Sequence, residues 1–285
     1  MWITDRDAGR VYGLDRDLLV VRELPLRAPI EVEACADGGA WVVSALDGGP
    51  VGRHQLARLD RDGVVGPRAA LGTFHDLACD AEDRALVIED GPAGRRVAFF
   101  DGSAQLRWQA QAPGALSLAS AWGQVLVGDD AGVVSCFDLG APAAPPRSSA
   151  LGGILADVAA GPSAESWWVL DASAAHRLVL LDADLSARWI VPAGVAALHL
   201  APVSGVERVW LADVNAPSAR RFGPGGALEV DRRDLPLAGL DRVASLAGGG
   251  ALFAAPGALL ALDGLGRNAP GQGGFDFLVD VAVVP

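Results

Sequence analysis

The sequence predicts an all-β fold, a seven-bladed β-propeller built from four-stranded antiparallel sheets. Three observations predict it: a short motif that recurs along the whole chain, four strand-like segments in each repeat, and terminal segments that complete one another. The chain has 285 residues, of which 51% are hydrophobic and 20% charged, so it can form one large domain. Its 36 glycines and 18 prolines require many turns and disfavour a helical bundle.

The recurring motif is an apolar run that ends in a large side chain, followed in most repeats by Asp. Successive motifs are 37 to 45 residues apart, and the interval from the last motif through the C-terminus to the first is 37 residues. Self-similarity at this period indicates a repeat architecture. The motifs are Leu14-Asp15, Leu59-Asp60, Phe100-Asp101, Phe137-Asp138, Leu181-Asp182, Phe222-Gly223 and Leu262-Asp263.

Each repeat contains four short runs of β-branched, aromatic and aliphatic residues. A weakly apolar first run, such as residues 74–79, is followed by a stronger one, such as 168–171. A polar loop leads to a third run, such as 177–182, and a tight turn leads to a fourth, such as 105–108. Turn-forming residues bracket these runs, which predicts strands joined by hairpins. Four strands in each repeat is typical of a propeller blade.

The two ends of the chain supply parts of one blade. Residues 1–24 contain three strand signals and residues 275–284 contain one, and pairing them would leave no open sheet edge at the seam. We therefore expect a single domain over residues 1–285. Six blades are the alternative, with 195–239 or 240–274 as the irregular unit. The predicted blades are 275–285 with 1–24, 30–71, 74–111, 115–151, 154–192, 195–236 and 240–274.

Charge and cysteine content limit the partners and the compartment. A net charge of -12 argues against nucleic-acid binding, which needs a basic face. The N-terminal residues show no leader pattern, and no apolar stretch is long enough to span a bilayer. The three cysteines, Cys35, Cys79 and Cys136, show no C-x-x-C spacing. We expect a cytoplasmic protein without membrane insertion, with a periplasmic or secreted location as the alternative if a leader has been removed.

Several repeats resemble NHL repeats. In residues 2–15 and 168–182, a strand ending in Asp leads through a polar loop to Arg, an apolar strand and a final Asp, and residues 86–101 are similar. Blades 30–71, 115–151 and 240–274 lack this Asp and Arg pair. The resemblance implies a β-propeller whose relatives include scaffolds, lyases and lactonases. An Asp and an Arg at the two ends of one hairpin can pair across its loop, which supports the hairpin and does not imply catalysis.

The chain has no motif typical of a catalytic nucleophile or of a zinc site. The G-x-S-x-G elbow is absent, and no two histidines have H-x-x-x-H or H-x-H spacing. The four histidines are His54, His75, His176 and His199. Cys35 and Cys79 occupy similar places in the first strands of neighbouring blades. We expect both to be small core residues, with a redox or metal pair as the alternative.

Acidic residues recur ten or eleven positions before the second-strand anchor. They are Glu31, Asp76, Asp157, Asp241 and Asp276. Because first strands line the central channel of a propeller, these side chains could form an acidic mouth that holds a cation. Oxygen ligands of this kind suit Ca²⁺ or Mg²⁺. The alternative is that each carboxylate caps its own turn or binds neighbouring backbone N–H groups.

Three further residues are candidate binding groups. His75 opens a first strand beside Asp76, and His199 lies in a blade that lacks the acidic residue. Trp167 and Trp168 are adjacent on one strand, so their side chains face opposite sides. We expect one of the two to reach the surface, with Trp167 as the candidate protein contact.

These features favour a non-catalytic scaffold that binds a protein partner, either alone or as a subunit of a larger assembly. The alternative is a metal-dependent enzyme of the lactonase or lyase type with a cation at the acidic mouth. Such families generally need Asn or His around the metal, whereas this chain has two Asn, Asn215 and Asn268, both in predicted loops. The sequence assigns no catalytic residue and no organic cofactor, and it leaves a small-molecule ligand open.

Overall fold

Seven four-stranded antiparallel sheets make up the computed structural model, and the fold is a seven-bladed β-propeller. The structure describes residues 1–46, 52–194, 196–213, 215–237, 240, 242–273, 275 and 278–283. The predicted fold class is therefore confirmed, and the six-bladed alternative is wrong. Two 3₁₀ turns, Pro224–Gly226 and Ala247–Gly249, are the helical segments of these ranges, and neither has the length or apolarity to cross a membrane.

The first of two compact units comprises Met1–Pro113, Ala254–Leu259 and Pro270–Pro285. It contains three whole sheets. The first sheet consists, in spatial order, of β28 (Leu278–Ala282), β1 (Trp2–Asp5), β2 (Arg10–Leu14) and β3 (Val20–Pro25). The next consists of β4 (Pro29–Ala34), β5 (Ala40–Ala45), β6 (His54–Leu59) and β7 (Val65–Leu71). The third consists of β8 (Thr73–Cys79), β9 (Ala85–Gly91), β10 (Gly94–Phe100) and β11 (Leu106–Gln111).

The second unit comprises Gly114–Phe253 and Leu260–Ala269. Its first whole sheet consists of β12 (Ala115–Ala121), β13 (Gln124–Asp129), β14 (Val133–Asp138) and β15 (Arg147–Ala150). The next consists of β16 (Leu155–Ala160), β17 (Trp167–Asp171), β18 (Arg177–Leu181) and β19 (Ala187–Pro192). Another consists of β20 (Ala197–Pro202), β21 (Val209–Asp213), β22 (Ser218–Phe222) and β23 (Leu228–Arg232). The seventh sheet draws residues from both units and consists of β24 (Arg242–Ser245), β25 (Ala251–Ala255), β26 (Ala258–Leu262) and β27 (Asn268–Gly273).

The two ends of the chain share the first sheet, as the sequence predicts. Strand β28 pairs antiparallel with β1, with Ile3 opposite Val281 and Trp2 opposite Ala282. Leu278, Val281 and Ala282 are all buried. The pairing therefore gives β1 a hydrogen-bonded neighbour on each side and leaves it no open edge.

In four repeats the Asp that ends the sequence motif holds the turn between the third and fourth strands of its sheet. Asp60 Oδ1 accepts hydrogen bonds from the backbone N–H groups of Asp62 at 2.9 Å and Val64 at 2.8 Å. Asp15, Asp101 and Asp263 make the same two bonds to the residues two and four positions later. The motif recurs because a short acceptor at this position satisfies turn N–H groups that have no partner in the sheet.

The hydrophobic cores of each unit lie between neighbouring sheets. Tryptophan indoles contribute both buried area and hydrogen bonds to these contacts. Each of three indole N–H groups donates to a backbone carbonyl in the turn after the first strand of the following sheet, which ties the two sheets together. These bonds join Trp2 to Gly38 at 3.1 Å, Trp41 to Asp83 at 2.9 Å and Trp210 to Gly249 at 3.1 Å.

A disulfide joins two neighbouring sheets of the first unit. Cys35, just after β4, and Cys79, at the end of β8, have Cα atoms 5.7 Å apart and are bonded. Cys35 lies in a hydrophobic core and Cys79 packs against it, as expected, but the two are bonded to each other, so the expectation that they do not form a pair is wrong. Their similar places in successive repeats put them at adjoining strand ends once the two sheets pack. Cys136 is a buried free thiol.

We predict that removing residues 274–285 strongly destabilises the fold. The truncated chain lacks β28, so it loses the pairing with β1 and the burial of Leu278 and Val281. Each large apolar side chain that is fully buried contributes about 1.5–3 kcal/mol, so the free energy of unfolding should fall by several kcal/mol. Thermal unfolding followed by circular dichroism measures the loss.

A peptide of residues 274–285, added to the truncated chain, should restore the melting temperature. The same peptide with Leu278→Asp and Val281→Asp is the matched control and should restore nothing. An unchanged melting temperature in the truncated chain would contradict the pairing of the two termini.

Candidate functional site

One side-chain position is equivalent in the first strand of every sheet. In six sheets a β-bulge directly precedes it, a device that redirects side chains. Strand β24 is aligned through its turn. The hydrogen bond from Leu246 N–H to Gly250 O corresponds to that from Cys35 N–H to Gly39 O. Arg242, four residues before Leu246, therefore corresponds to Glu31, four residues before Cys35. The seven equivalent residues are Asp280, Glu31, Asp76, Ser117, Asp157, His199 and Arg242.

In the first unit, carboxylates at this position bind the backbone of the following sheet. Asp280 Oδ2 accepts the N–H of Val32 at 2.8 Å, and Glu31 Oε1 accepts the N–H of Leu77 at 3.1 Å. Val32 and Leu77 each come directly after the equivalent position of their own strand. Because hydrogen bonds from an N–H group to a carboxylate are charge-assisted, each contact links two first strands firmly.

The same link recurs in the second unit. Asp157 Oδ2 accepts the N–H of Leu200 at 2.8 Å. Ser117 makes the reversed contact, since its hydroxyl donates to the carbonyl of Leu155 at 3.2 Å. Backbone binding, one of the two roles that the sequence left open for the predicted acidic residues, is thus present at Glu31 and Asp157, and also at Asp280, which was not predicted.

Three consecutive first strands of the second unit bring different chemistry together at this position. Arg242 Nη1 lies 2.6 Å from His199 Nδ1 and 3.1 Å from His199 Nε2. His199 Nδ1 lies 3.7 Å from Asp157 Oδ2. Because a guanidinium only donates, a hydrogen bond from Arg242 needs an unprotonated ring nitrogen on His199. The group formed by Asp157, His199 and Arg242 is the candidate functional site.

Asp157 has an unusual proton affinity within this site. Burial raises the pKa of its carboxyl to about 7, although the N–H of Leu200 and the charge of Arg242 act to lower it. A carboxyl that titrates near neutral pH can take up or release a proton under ordinary conditions. The site can therefore change its charge within the physiological range.

Arg242 was not predicted from the sequence, and two predicted residues lie outside the described part of the chain. These are Asp241 and Asp276. The register assigns the equivalent positions to Arg242 and Asp280 instead. Counting back from β1 misses Asp280 because no hairpin joins β28 to β1. A search for acidic residues passes over Arg242 in favour of Asp241, one position earlier. Counting back four residues from the turn after the first strand, as from Cys35 to Glu31 and from Asp80 to Asp76, would have found Arg242.

The metal role of Glu31, Asp76 and Asp157 stays a prediction. Within the described ranges, one trio of side chains brings three potential ligand atoms within 4.8 Å of one another, and it consists of Cys35, Cys79 and Asp83. Two sulfurs and one carboxylate do not fit Ca²⁺ or Mg²⁺, which take oxygen ligands. We therefore derive no chemistry through these cations.

His75 lies in an ion-pair cluster of the first unit. Its Nε2 is 3.0 Å from Asp90 Oδ2, and Arg95 Nε is 3.1 Å from Asp90 Oδ1. Burial acts to raise the pKa of Asp90, but the contacts with His75 and Arg95 outweigh it and hold that pKa below its usual range. Asp90 is thus the anionic partner of both groups, and a ligand-binding role for His75 stays a prediction.

The tryptophan pair differs from expectation. Trp167 and Trp168 are both completely buried, so the expectation that one of them reaches the surface is wrong. Each packs between sheets, since two neighbouring cores take up the two opposite faces of β17. Among the tryptophans of the described residues, Trp122 is the most exposed, at 42%, and it contacts Trp167 edge-on with ring centroids 5.3 Å apart.

Solved structures resemble this chain in fold. A functionally unknown protein from Desulfotomaculum acetoxidans has a TM-score of 0.75 at 12% identity, with 97% of each chain covered. Apo AztD from Citrobacter koseri has a TM-score of 0.68 at 11% identity, covering 99% of this chain and 96% of that one. BamB from Moraxella catarrhalis has a TM-score of 0.62 at 16% identity, covering 99% and 88%. No family model and no curated protein sequence matches the chain. At these identities the likeness shows the fold alone.

We predict that Asp157→Asn stabilises the fold in a pH-dependent way. The folded-state pKa of about 7 lies above the unfolded value, so the wild-type protein loses stability as the pH rises through 7. Asn stays neutral and can still accept the N–H of Leu200. The stability advantage of the variant should therefore grow by about 2–3 kcal/mol between pH 5 and pH 8. Urea denaturation at both pH values measures it.

Asp263→Asn is the matched control. The N–H and guanidinium of Arg267 lower the pKa of Asp263 to about 2, so this carboxyl is ionised at both pH values. Its substitution should change stability equally at pH 5 and pH 8. A difference between Asp157→Asn and the wild-type protein that does not vary with pH would refute the neutral-range titration of Asp157.

Proposed function

We propose that this chain is a non-catalytic propeller of the NHL-like type that binds a basic protein partner, with Trp122 as an apolar anchor. The single observation that carries the proposal is the conformation and exposure of Trp122. The carboxylates of Asp280, Glu31 and Asp157 support its non-catalytic part as well, because each accepts a backbone N–H group of the following sheet.

Trp122 occupies a strained backbone position. It forms a two-residue turn with Gly123 between the paired residues Ala121 and Gln124, and its φ is 52°. Turns of this kind favour Asn and Gly, whereas the left-handed region costs a bulky residue roughly 1–2 kcal/mol. The edge contact with Trp167 offsets about 0.5–1.5 kcal/mol of this backbone cost. Packing alone thus gives no clear advantage to Trp here, and strain at an exposed aromatic supports a binding role.

The surroundings of Trp122 suit a protein contact. Leu139 N–H donates to Gly123 O at 2.9 Å, which puts the start of the following loop at the same end of the sheet as the Trp122 turn. Residues 141–146 of that loop, Ala-Pro-Ala-Ala-Pro-Pro, are all exposed. Proline-rich backbone is stiff, so this end of the sheet presents a preordered surface that loses little entropy on binding.

The net charge of the chain specifies the partner further. At -12, the protein attracts basic surfaces and repels acidic ones. Complementary charge raises association rates and makes them sensitive to salt, while a buried aromatic anchor slows dissociation. A partner with a basic surface around an apolar pocket fits both features.

The disulfide supports a location in an oxidising compartment. Bonds such as Cys35–Cys79 form and persist in secreted and periplasmic proteins, whereas the cytosol keeps thiols reduced. We therefore propose a periplasmic or secreted location, which was the alternative to the cytoplasmic location expected from the sequence.

A metal-dependent enzyme of the lactonase or lyase type is the second candidate. The neutral-range titration of Asp157 beside His199 and Arg242 favours it, since such groups cluster at catalytic sites. Elemental analysis of the purified protein separates the candidates, because stoichiometric Ca²⁺ or Mg²⁺ would support the enzyme and oppose the scaffold.

We predict that Trp122→Gly weakens partner binding at least thirtyfold. Loss of a central aromatic anchor typically removes about 2 kcal/mol or more of binding free energy. Glycine adopts a φ of 52° without strain, so the fold should persist. Immobilised wild-type protein captures partners from the native host, and mass spectrometry identifies them. The purified partner is then titrated calorimetrically against the wild-type protein and against Trp122→Gly.

Leu265→Ser is the matched control, because Leu265 is a 70% exposed apolar residue in a different turn. It should bind as the wild-type protein does. Binding should weaken as salt is raised. A partner that binds Trp122→Gly equally well, or one with an acidic surface, would argue against the proposal.

A further inference from the structure

Cys35, Cys79 and Asp83 form a compact group of metal-binding side chains in the first unit. The two sulfurs and a carboxylate oxygen all lie within 4.8 Å of one another. Cys35 follows β4, Cys79 ends β8, and Asp83 lies in the turn between β8 and β9. Three ligands thus come from two neighbouring sheets that also pack through a common core.

Asp83 is held in place by contacts other than those with the sulfurs. Its carboxylate Oδ1 accepts the N–H of Asp37 at 3.1 Å, and its carbonyl accepts the indole N–H of Trp41 at 2.9 Å. Its φ of 61° is left-handed, and the two hydrogen bonds hold both its backbone and its carboxylate. A ligand that is oriented before the metal arrives loses little entropy on binding.

The spacing of the two cysteines suits zinc once the disulfide is reduced. Zn–S bonds of about 2.3 Å in a tetrahedral site place two thiolate sulfurs about 3.8 Å apart. A Cα separation of 5.7 Å allows this after small side-chain rotations. Cys35 is 1% exposed, whereas Cys79 and Asp83 are half-buried, so an ion can enter from the solvent side and keep a water as its fourth ligand.

We propose that Cys35, Cys79 and Asp83 form a redox-gated Zn²⁺ site that is closed by the disulfide and opened by its reduction. A dithiol reductant delivers two electrons and two protons to the Cys35–Cys79 bond and becomes a disulfide itself. The two thiols that form release their two protons when they bind Zn²⁺ as thiolates. A disulfide oxidant reverses the reaction by thiol–disulfide exchange. The oxidant is reduced to a dithiol, the Cys35–Cys79 bond forms again, and Zn²⁺ is released.

The test uses the full chain, freed of metal, in oxidised form and after reduction with dithiothreitol and its removal under argon. Each form is titrated with Co²⁺ and then with Zn²⁺. Reduced protein should bind one equivalent of Co²⁺ with a thiolate-to-cobalt charge-transfer band, and Zn²⁺ should remove that band. Oxidised protein should show no such band.

Variants assign the ligands. Cys35→Ser and Cys79→Ser should each abolish the band, and Asp83→Asn should weaken Zn²⁺ binding at least tenfold. Cys136→Ser is the matched control, since it removes the third thiol and should leave the band unchanged. Circular dichroism of the Cys35→Ser, Cys79→Ser double variant checks that the sheets fold without the bond.

Three results would overturn the proposal. They are equal metal binding by oxidised and reduced protein, loss of the cobalt band in Cys136→Ser, and a reduced protein that either unfolds or remains folded but shows no cobalt band. None of these results bears on partner binding through Trp122, which is measured on the oxidised protein.

Discussion

Within each unit, the packing of neighbouring sheets depends on links from one first strand to the next. A side chain placed after a β-bulge reaches the following first strand, where a carboxylate accepts an N–H group or, at Ser117, a hydroxyl donates to a carbonyl. Indole N–H groups such as that of Trp41 add a second link at the turns. Buried backbone donors need partners, so these few side chains fix how neighbouring sheets pack.

The same position also allows chemical variety. Asp280 and Glu31 serve the backbone, whereas His199 and Arg242 face one another, and Asp157 does both. The bulge keeps the direction of the side chain constant while its chemistry changes from sheet to sheet. A propeller can therefore alter its inner surface one residue at a time without altering its architecture.

The fold could be predicted from the sequence because its signals are local. Asp60 and its equivalents cap turns within five residues, and strand runs repeat at a nearly constant interval. The site was only partly predictable. Asp157 and His199 were candidates, but Arg242 was missed because most sheets carry an acidic side chain at this position and β24 carries a basic one. The disulfide required the packing of two sheets, and Trp122 stands out only through its left-handed backbone, which composition does not reveal.

The pairing of β28 with β1 has a consequence for biosynthesis. β28 follows all the other strands in the chain, so the first sheet cannot be completed until the strands of the other six sheets have been synthesised. During synthesis β1 exposes an unsatisfied edge, a known route to aggregation. A chaperone that shields β1, or rapid folding of the sheets in between, would protect the growing polypeptide until β28 has been made.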